Sequence, residues 1–193
     1  MEKAQVVSDV QRLSESLGEL PEPVAEPVLI VVSGLPGTGK SHFSERLAGR
    51  IRLLVLESDS LRKALFSSPD YGSKESSQLF QAIYLLVEKL LKRGISLILD
   101  ATNLSERFRE HLYSITDRLD IKLVLVRVEA PPEVVRQRLE SRVGNSDSKS
   151  DASWAVYRRM LSSVERISRN HYVVDTSRDI APVLDKIVRE ATR

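Results

Sequence analysis

Residues 28–32, all apolar, run directly into Ser33-Gly34-Leu35-Pro36-Gly37-Thr38-Gly39-Lys40-Ser41. An unbroken apolar run of strand length has no solvent-facing side, so it belongs to a strand covered on both faces. The glycines at 34, 37 and 39 let the backbone curl with successive N–H groups pointing inward, a concavity that attracts anions. Beyond Ser41, Phe43 and Leu47 stand at helical spacing. A buried strand, an inward-curled loop and a helix in direct succession leave few architectures. They favour a parallel sheet with helices on both faces.

The spacing of Gly34, Gly39, Lys40 and Ser41 is the P-loop pattern G-x-x-x-x-G-K-S/T. In that pattern the loop amides cradle phosphates, the lysine reaches the β- and γ-phosphates, and the hydroxyl binds Mg²⁺. The helix that follows adds its N-terminal dipole. Gly34, Gly37, Thr38, Gly39, Lys40, Ser41 and the adjacent His42 form the expected nucleotide-binding set. ATP and Mg²⁺ are the expected cofactors.

The rest of the chain repeats the alternation. Further strands are expected at 53–57, 95–99, 123–128 and 172–174, with helical spacing between them, including Val156, Met160, Val164 and Ile167. The N-terminal stretch spaces Val6, Val10, Leu13, Leu17 and Leu20 along one helix face and ends in a proline-punctuated connector. Residues 1–26 are therefore expected to be a helix and connector packed on the domain formed by 27–193. A net charge of +2 argues neither for nor against a nucleic-acid partner, and the absence of cysteine excludes disulfides and thiolate chemistry. With no apolar run of spanning length, the expected location is cytoplasmic.

In such sheets, ligands sit beyond the carboxyl ends of the strands. The second strand leads into Asp59 and, three residues on, Arg62. Asp59 is placed either to accept a proton from an acceptor hydroxyl or to cap a helix, and Arg62 to hold an anionic group on the acceptor. D-x-x-R occurs three times in the chain (Asp9, Asp59, Asp175), and only the middle copy follows the strand expected beside the loop strand. The third strand closes on Asp100, which resembles a Walker B position for Mg²⁺. Thr102 and Asn103 are placed to contact the acceptor, or to cap the next helix. Arg138 and Arg142 lie at i and i+4 on a helix entering a serine-rich lid at about 142–153. Arginines there are positioned to neutralise a transferring phosphoryl group.

The set GLPGTGKS, SDSLR, DATN, RLESR and SDASWAVYRRM, in this order, resembles the P-loop kinases of the polynucleotide 5′-hydroxyl kinase, zeta-toxin-like and predicted-kinase group. The resemblance runs from about residue 27 onward. It implies a nucleoside-kinase-like, three-layer α/β/α sandwich with a five-stranded, mainly parallel sheet and an arginine-bearing lid. It implies Asp59 as general base, Arg62 on the acceptor's phosphate, Asp100 in the acceptor and metal region, and Arg138 and Arg142 on donor phosphates. It also places residues 173–177 near the adenine. The function implied is ATP-dependent phosphorylation of a hydroxyl, on a nucleic-acid 5′ end or a small molecule. The alternative is a nucleotide-binding switch or ATPase with no acceptor beyond water. Against a GTPase form of it, the chain has no N-K-x-D guanine reader.

Overall fold

All six residues of strand β1 (Val28–Ser33) are buried. Leu29 and Val31 point into one hydrophobic cluster, and Val28, Ile30 and Val32 into a second on the opposite face. This period-two division puts the strand at the centre of the sheet. The structure, a computed structural model, describes residues 2–141 and 152–192. Arg142 and most of the expected lid lie outside the described residues.

Helix α1 (Glu2–Ser16) precedes β1, and α2 (Lys40–Ala48) follows it. Strand β2 (Leu54–Glu57) leads into α3 (Ser58–Leu65) and α4 (Ser73–Lys92), and β3 (Leu97–Asp100) into α5 (Glu106–Leu119). Then come β4 (Lys122–Glu129), α6 (Pro132–Glu140), α7 (Trp154–Leu161), β5 (Tyr172–Asp175) and α8 (Ala181–Ala191). The strands pair in the order β2-β3-β1-β4-β5, and every pairing is parallel. The expectation of a mainly parallel sheet is thus met by a wholly parallel one among the described residues. Register aligns the strand ends that matter: Val32 and Glu57 both sit opposite Asp100. The loop after β1, the start of α3 and the end of β3 therefore meet at one edge.

Helices α1, α4 and α5 cover the first face with residues such as Leu13, Leu79, Ile83, Leu86 and Leu112. Helices α2 and α8 cover the second with Phe43, Leu47, Leu184 and Ile187. Leu13 of α1 is fully buried in the same cluster as Leu29 and Val31 of β1. The neighbouring Arg12 guanidinium donates to the carbonyls of Ala64 and Leu65 at 3.2 and 2.9 Å. Those carbonyls belong to the last turn of α3, whose acceptors have no intrahelical partners. The N-terminal helix thus holds the helix that carries Asp59 and Arg62. The first D-x-x-R copy is structural: Asp9 is buried and accepts from Gln5 and Gln78 at 2.9 and 2.7 Å.

One helix is shorter than its spacing suggests. The apolar rhythm continues to Val164 and Ile167, but α7 stops at Leu161. Beyond it, Glu165 N–H donates to Leu104 O at 3.0 Å. Arg109, 1% exposed, donates to the carbonyls of Glu165 and Arg166 at 3.1 and 2.9 Å. Pairing with a buried guanidinium from α5 replaces the helical bonds, and Ile167 reaches the core from a non-helical segment.

Candidate active site

The loop after β1 is shaped by glycine where its packing is closest. Gly37 has φ 80° and Gly39 φ 93°, a left-handed region costly for other residues. A Cβ at Gly37 would stand 2.9 Å from Val135 and Leu139 of α6, and one at Gly39 3.0 Å from the Thr176 hydroxyl. Thr38 is buried and its hydroxyl closes the loop on Leu35 O at 2.8 Å. Gly34 N–H donates to Thr102 O at 3.1 Å, tying the loop to the end of β3. Lys40, the first residue of α2, donates from Nζ to Leu35 O at 3.2 Å across the curl. A triphosphate seated in the loop offers the same ammonium a stronger acceptor.

A cavity of about 560 Å³ opens at this edge of the sheet. Its walls bring together Lys40, Ser41, Asp59, Arg62, Asp100 and Thr102, six residues singled out in the sequence. Gly37, Gly39 and the exposed His42 also line it. Asp59 stands in the first turn of α3, where Glu57 holds the N-cap position. The capping alternative for Asp59 is therefore not the one adopted.

Asp100 is 5% exposed. Burial pushes its carboxyl above the ordinary range, Lys40 and the Ser41 hydroxyl oppose that, and the charge of Glu57 adds to it. The Ser44 hydroxyl also leans toward it, yet neither Ser44 Oγ nor Asp100 Oδ2 reaches a hydrogen-bond partner. A buried carboxylate oxygen without a donor, next to the P-loop hydroxyl, fits a divalent cation. No group of three or more His, Cys, Asp or Glu side chains that could hold a metal ion occurs among the described residues. A Mg²⁺ ion here would therefore take Ser41 and Asp100, with water and phosphate oxygens completing the shell.

Two expected site residues, Asn103 and Arg138, are placed differently, and a third, Arg62, is already engaged. Asn103 does not line the cavity. It is buried with φ 46°, and its Nδ2 donates to Val32 O at 3.0 Å, turning the amide back beneath β1. Nor does it cap α5, whose N-cap is Ser105. Arg138 is also outside the cavity lining. Its guanidinium donates to Thr176 Oγ1 at 2.8 Å, Thr176 O at 2.9 Å and Gly37 O at 3.5 Å. It thus joins α6 to the P-loop and to the turn after β5, away from Asp59. Thr176 completes that junction by donating to Thr38 O at 2.6 Å. Arg62 lines the cavity, but it is 6% exposed and ion-paired with Glu75.

The sequence reading missed Glu75, Tyr71, Phe80 and Phe108. Glu75 accepts from the backbone N–H groups of Asp70 and Tyr71 at 2.7 and 3.2 Å. Burial would raise its carboxyl, but these donors and Arg62 hold it below the ordinary range. Tyr71, Phe80 and Phe108 line the cavity with the loop residues.

A P-loop closing on a lysine and serine, backed by a buried acidic strand end, defines a P-loop nucleotide-binding protein of kinase fold. Residues 29–167 match the AAA domain family, and the chain belongs to it. Among individual proteins, it is 27% identical over 116 residues to an L-seryl-tRNA(Sec) kinase of Methanococcus maripaludis, a match covering 58% of this chain and 44% of that kinase. Its fold superposes on Kti12 of Chaetomium thermophilum in complex with ADP-AlF3, with TM-score 0.67 and 20% identity, covering 84% of this chain and 98% of the other. It superposes equally, at TM-score 0.67 and 16% identity, on the Mycobacterium tuberculosis APS kinase CysC in complex with AMPPNP and APS, covering 89% and 100%.

Proposed function

We propose that this protein is an ATP- and Mg²⁺-dependent phosphotransferase that moves the γ-phosphoryl group of ATP onto an acceptor hydroxyl. The observation that carries the proposal is the shared cavity. Asp59 lines the same space as Lys40, Ser41 and Asp100, leaving room for an acceptor between the carboxylate and the phosphate cradle. The similar seryl-tRNA and APS kinases support the same class of reaction.

In this reading the loop amides and Lys40 hold the β- and γ-phosphates, and the α2 N-terminus adds its dipole. When bound, Mg²⁺ would neutralise charge on the β- and γ-phosphate oxygens. Asp59 accepts the acceptor's hydroxyl proton as the new oxygen–phosphorus bond forms. The bond from the γ-phosphorus to the β,γ-bridging oxygen breaks at the same time, and ADP leaves with that electron pair. Arg138 acts on the donor side by fixing the P-loop against Thr176. The 1–26 segment serves the domain by holding α3 through Arg12.

Incubation with γ-labelled ATP and a panel of alcohols, nucleosides and 5′-hydroxyl oligonucleotides tests the reading. Label carried by an acceptor supports it. Label released only as inorganic phosphate would favour the ATPase alternative.

A further inference from the structure

The acceptor end of the cavity has two properties that the phosphate end lacks. The first is charge cancellation. Arg62, the residue best placed to receive an anionic acceptor, already has its guanidinium engaged. It pairs with Glu75, donates to Ser76 Oγ at 3.3 Å, and lies 4.8 Å from the Tyr71 ring centroid. Both members of the ion pair are under a tenth exposed. Glu75 also anchors the loop before α4 through Asp70 and Tyr71 N–H. A phosphate at Arg62 would have to share the guanidinium with a buried carboxylate that also holds that loop. One Nη1 N–H goes to Glu75 and one Nη2 N–H to Ser76, and Nε is buried without a partner, so a phosphate here would meet a guanidinium whose charge is already compensated.

The second property is a flat apolar wall. Phe80 and Phe108 stack with centroids 5.2 Å apart and planes 24° apart. Phe108 remains 36% exposed, so the pair is not closed into the core. Met160 and Val156 of α7 line the same space, as does Tyr71. An aromatic surface left open beside a catalytic carboxylate is suited to a planar ring.

We propose that the acceptor is an alcohol carrying an uncharged flat ring, which lies on Phe108, Phe80 and Met160 while its hydroxyl faces Asp59. Glu75 is a specificity-determining residue: by occupying Arg62 it disfavours acceptors with a phosphate next to the attacking hydroxyl, as at a nucleic-acid 5′ end. Among the described residues the other guanidinium lining the cavity is Arg159, exposed on α7 and next in sequence to Met160. The inference rests on the kinase reading for the role of Asp59, and on the wall and ion pair for the acceptor's chemistry.

Binding separates the two. Calorimetric titration of the full chain, saturated with a non-hydrolysable ATP analogue and Mg²⁺, would use three probes: thymidine, thymidine 3′-monophosphate and 2-deoxyribose. Thymidine is expected to bind at least about tenfold more tightly than the other two. Phe108→Ala, at a partly exposed position and with its thermal midpoint checked against wild type, is expected to weaken thymidine about 5- to 150-fold, the range for loss of one aromatic stacking partner. It should leave 2-deoxyribose unchanged. The inference is overturned if the monophosphate binds as tightly as thymidine, if Phe108→Ala has no effect, or if thymidine does not bind. Ring-dependent binding with no transfer of label would instead reject the kinase reading and keep the site. Transfer that prefers phosphorylated or ring-free acceptors would do the reverse.

Discussion

Asp100→Asn should make the free protein more stable while removing the response to Mg²⁺–nucleotide. Asp100 is 5% exposed with Oδ2 unpartnered, and burial raises its pKa above the ordinary 3.8. The folded state therefore holds a proton on this group more tightly than the unfolded chain does. Stability from Asp100 is fully present at low pH and is lost as pH rises from 3.8 through the raised folded value. Above that value the wild type keeps a charge whose Oδ2 has no donor. Replacing that carboxylate with a neutral amide should recover about 1–3 kcal/mol, the usual cost of one buried unsatisfied polar group. For a chain of this length, that is about 2–12 °C in melting temperature. The assay is thermal unfolding of both proteins from pH 4 to pH 8, with and without Mg²⁺ and a non-hydrolysable ATP analogue. The variant's advantage should grow with pH in the free protein. Added at about 100 times its dissociation constant, the Mg²⁺–nucleotide should stabilise the wild type by about 2.7 kcal/mol and the variant by much less. A variant less stable than wild type at pH 7, or an advantage that does not change with pH, would refute the reasoning.

Other perturbations test the supports around the site. Arg109→Ala removes donors to Asn103 O, Glu165 O and Arg166 O and a partner of Glu106. It should cost about 3 kcal/mol or more, read as a lower midpoint in urea. Arg12→Ala uncaps the α3 carbonyls and should cost about 1 kcal/mol, with amide exchange in α3 accelerating more than exchange in α8. Arg138→Ala should raise KM for ATP more than it lowers kcat, because Arg138 binds the loop and Thr176 and does not line the acceptor cavity. Equal losses in kcat and kcat/KM, measured by steady-state kinetics, would return Arg138 to the transferring phosphoryl group.

The central strands β1 and β3 were legible because burial on both faces leaves them apolar almost to their ends. Each expected run overlaps an observed strand, most closely at β1, β2 and β5. Asp59 and Asp100 were legible for a related reason. Parallel topology puts every strand's carboxyl end at one edge, so an acidic residue there is conspicuous. What stayed hidden depends on partners distant in sequence. Arg62 reads as a free cation until Glu75, thirteen positions on, folds back against it. Arg138 was correctly assigned to its helix, but helical spacing does not say that Thr176 will take its donors. Asn103 looked like an acceptor contact because its left-handed backbone, which turns the amide under β1, leaves no mark in composition. The end of α7 was missed because Val164 and Ile167 keep helical spacing, while their backbone neighbours pair with Arg109 on α5. None of the described helices is long and apolar enough to cross a membrane.

The most direct test of phosphoryl transfer is where the γ-phosphate of ATP goes, and whether Asp59 governs it. Label from γ-labelled ATP would be followed into acceptor and inorganic phosphate for the wild type and for Asp59→Asn, with ATP binding measured in parallel. The expected result is label on an acceptor hydroxyl, a transfer rate about 10²- to 10⁴-fold lower in the variant, and unchanged ATP affinity. Release of label to water alone across the acceptor panel, or transfer by Asp59→Asn at the wild-type rate, would contradict it.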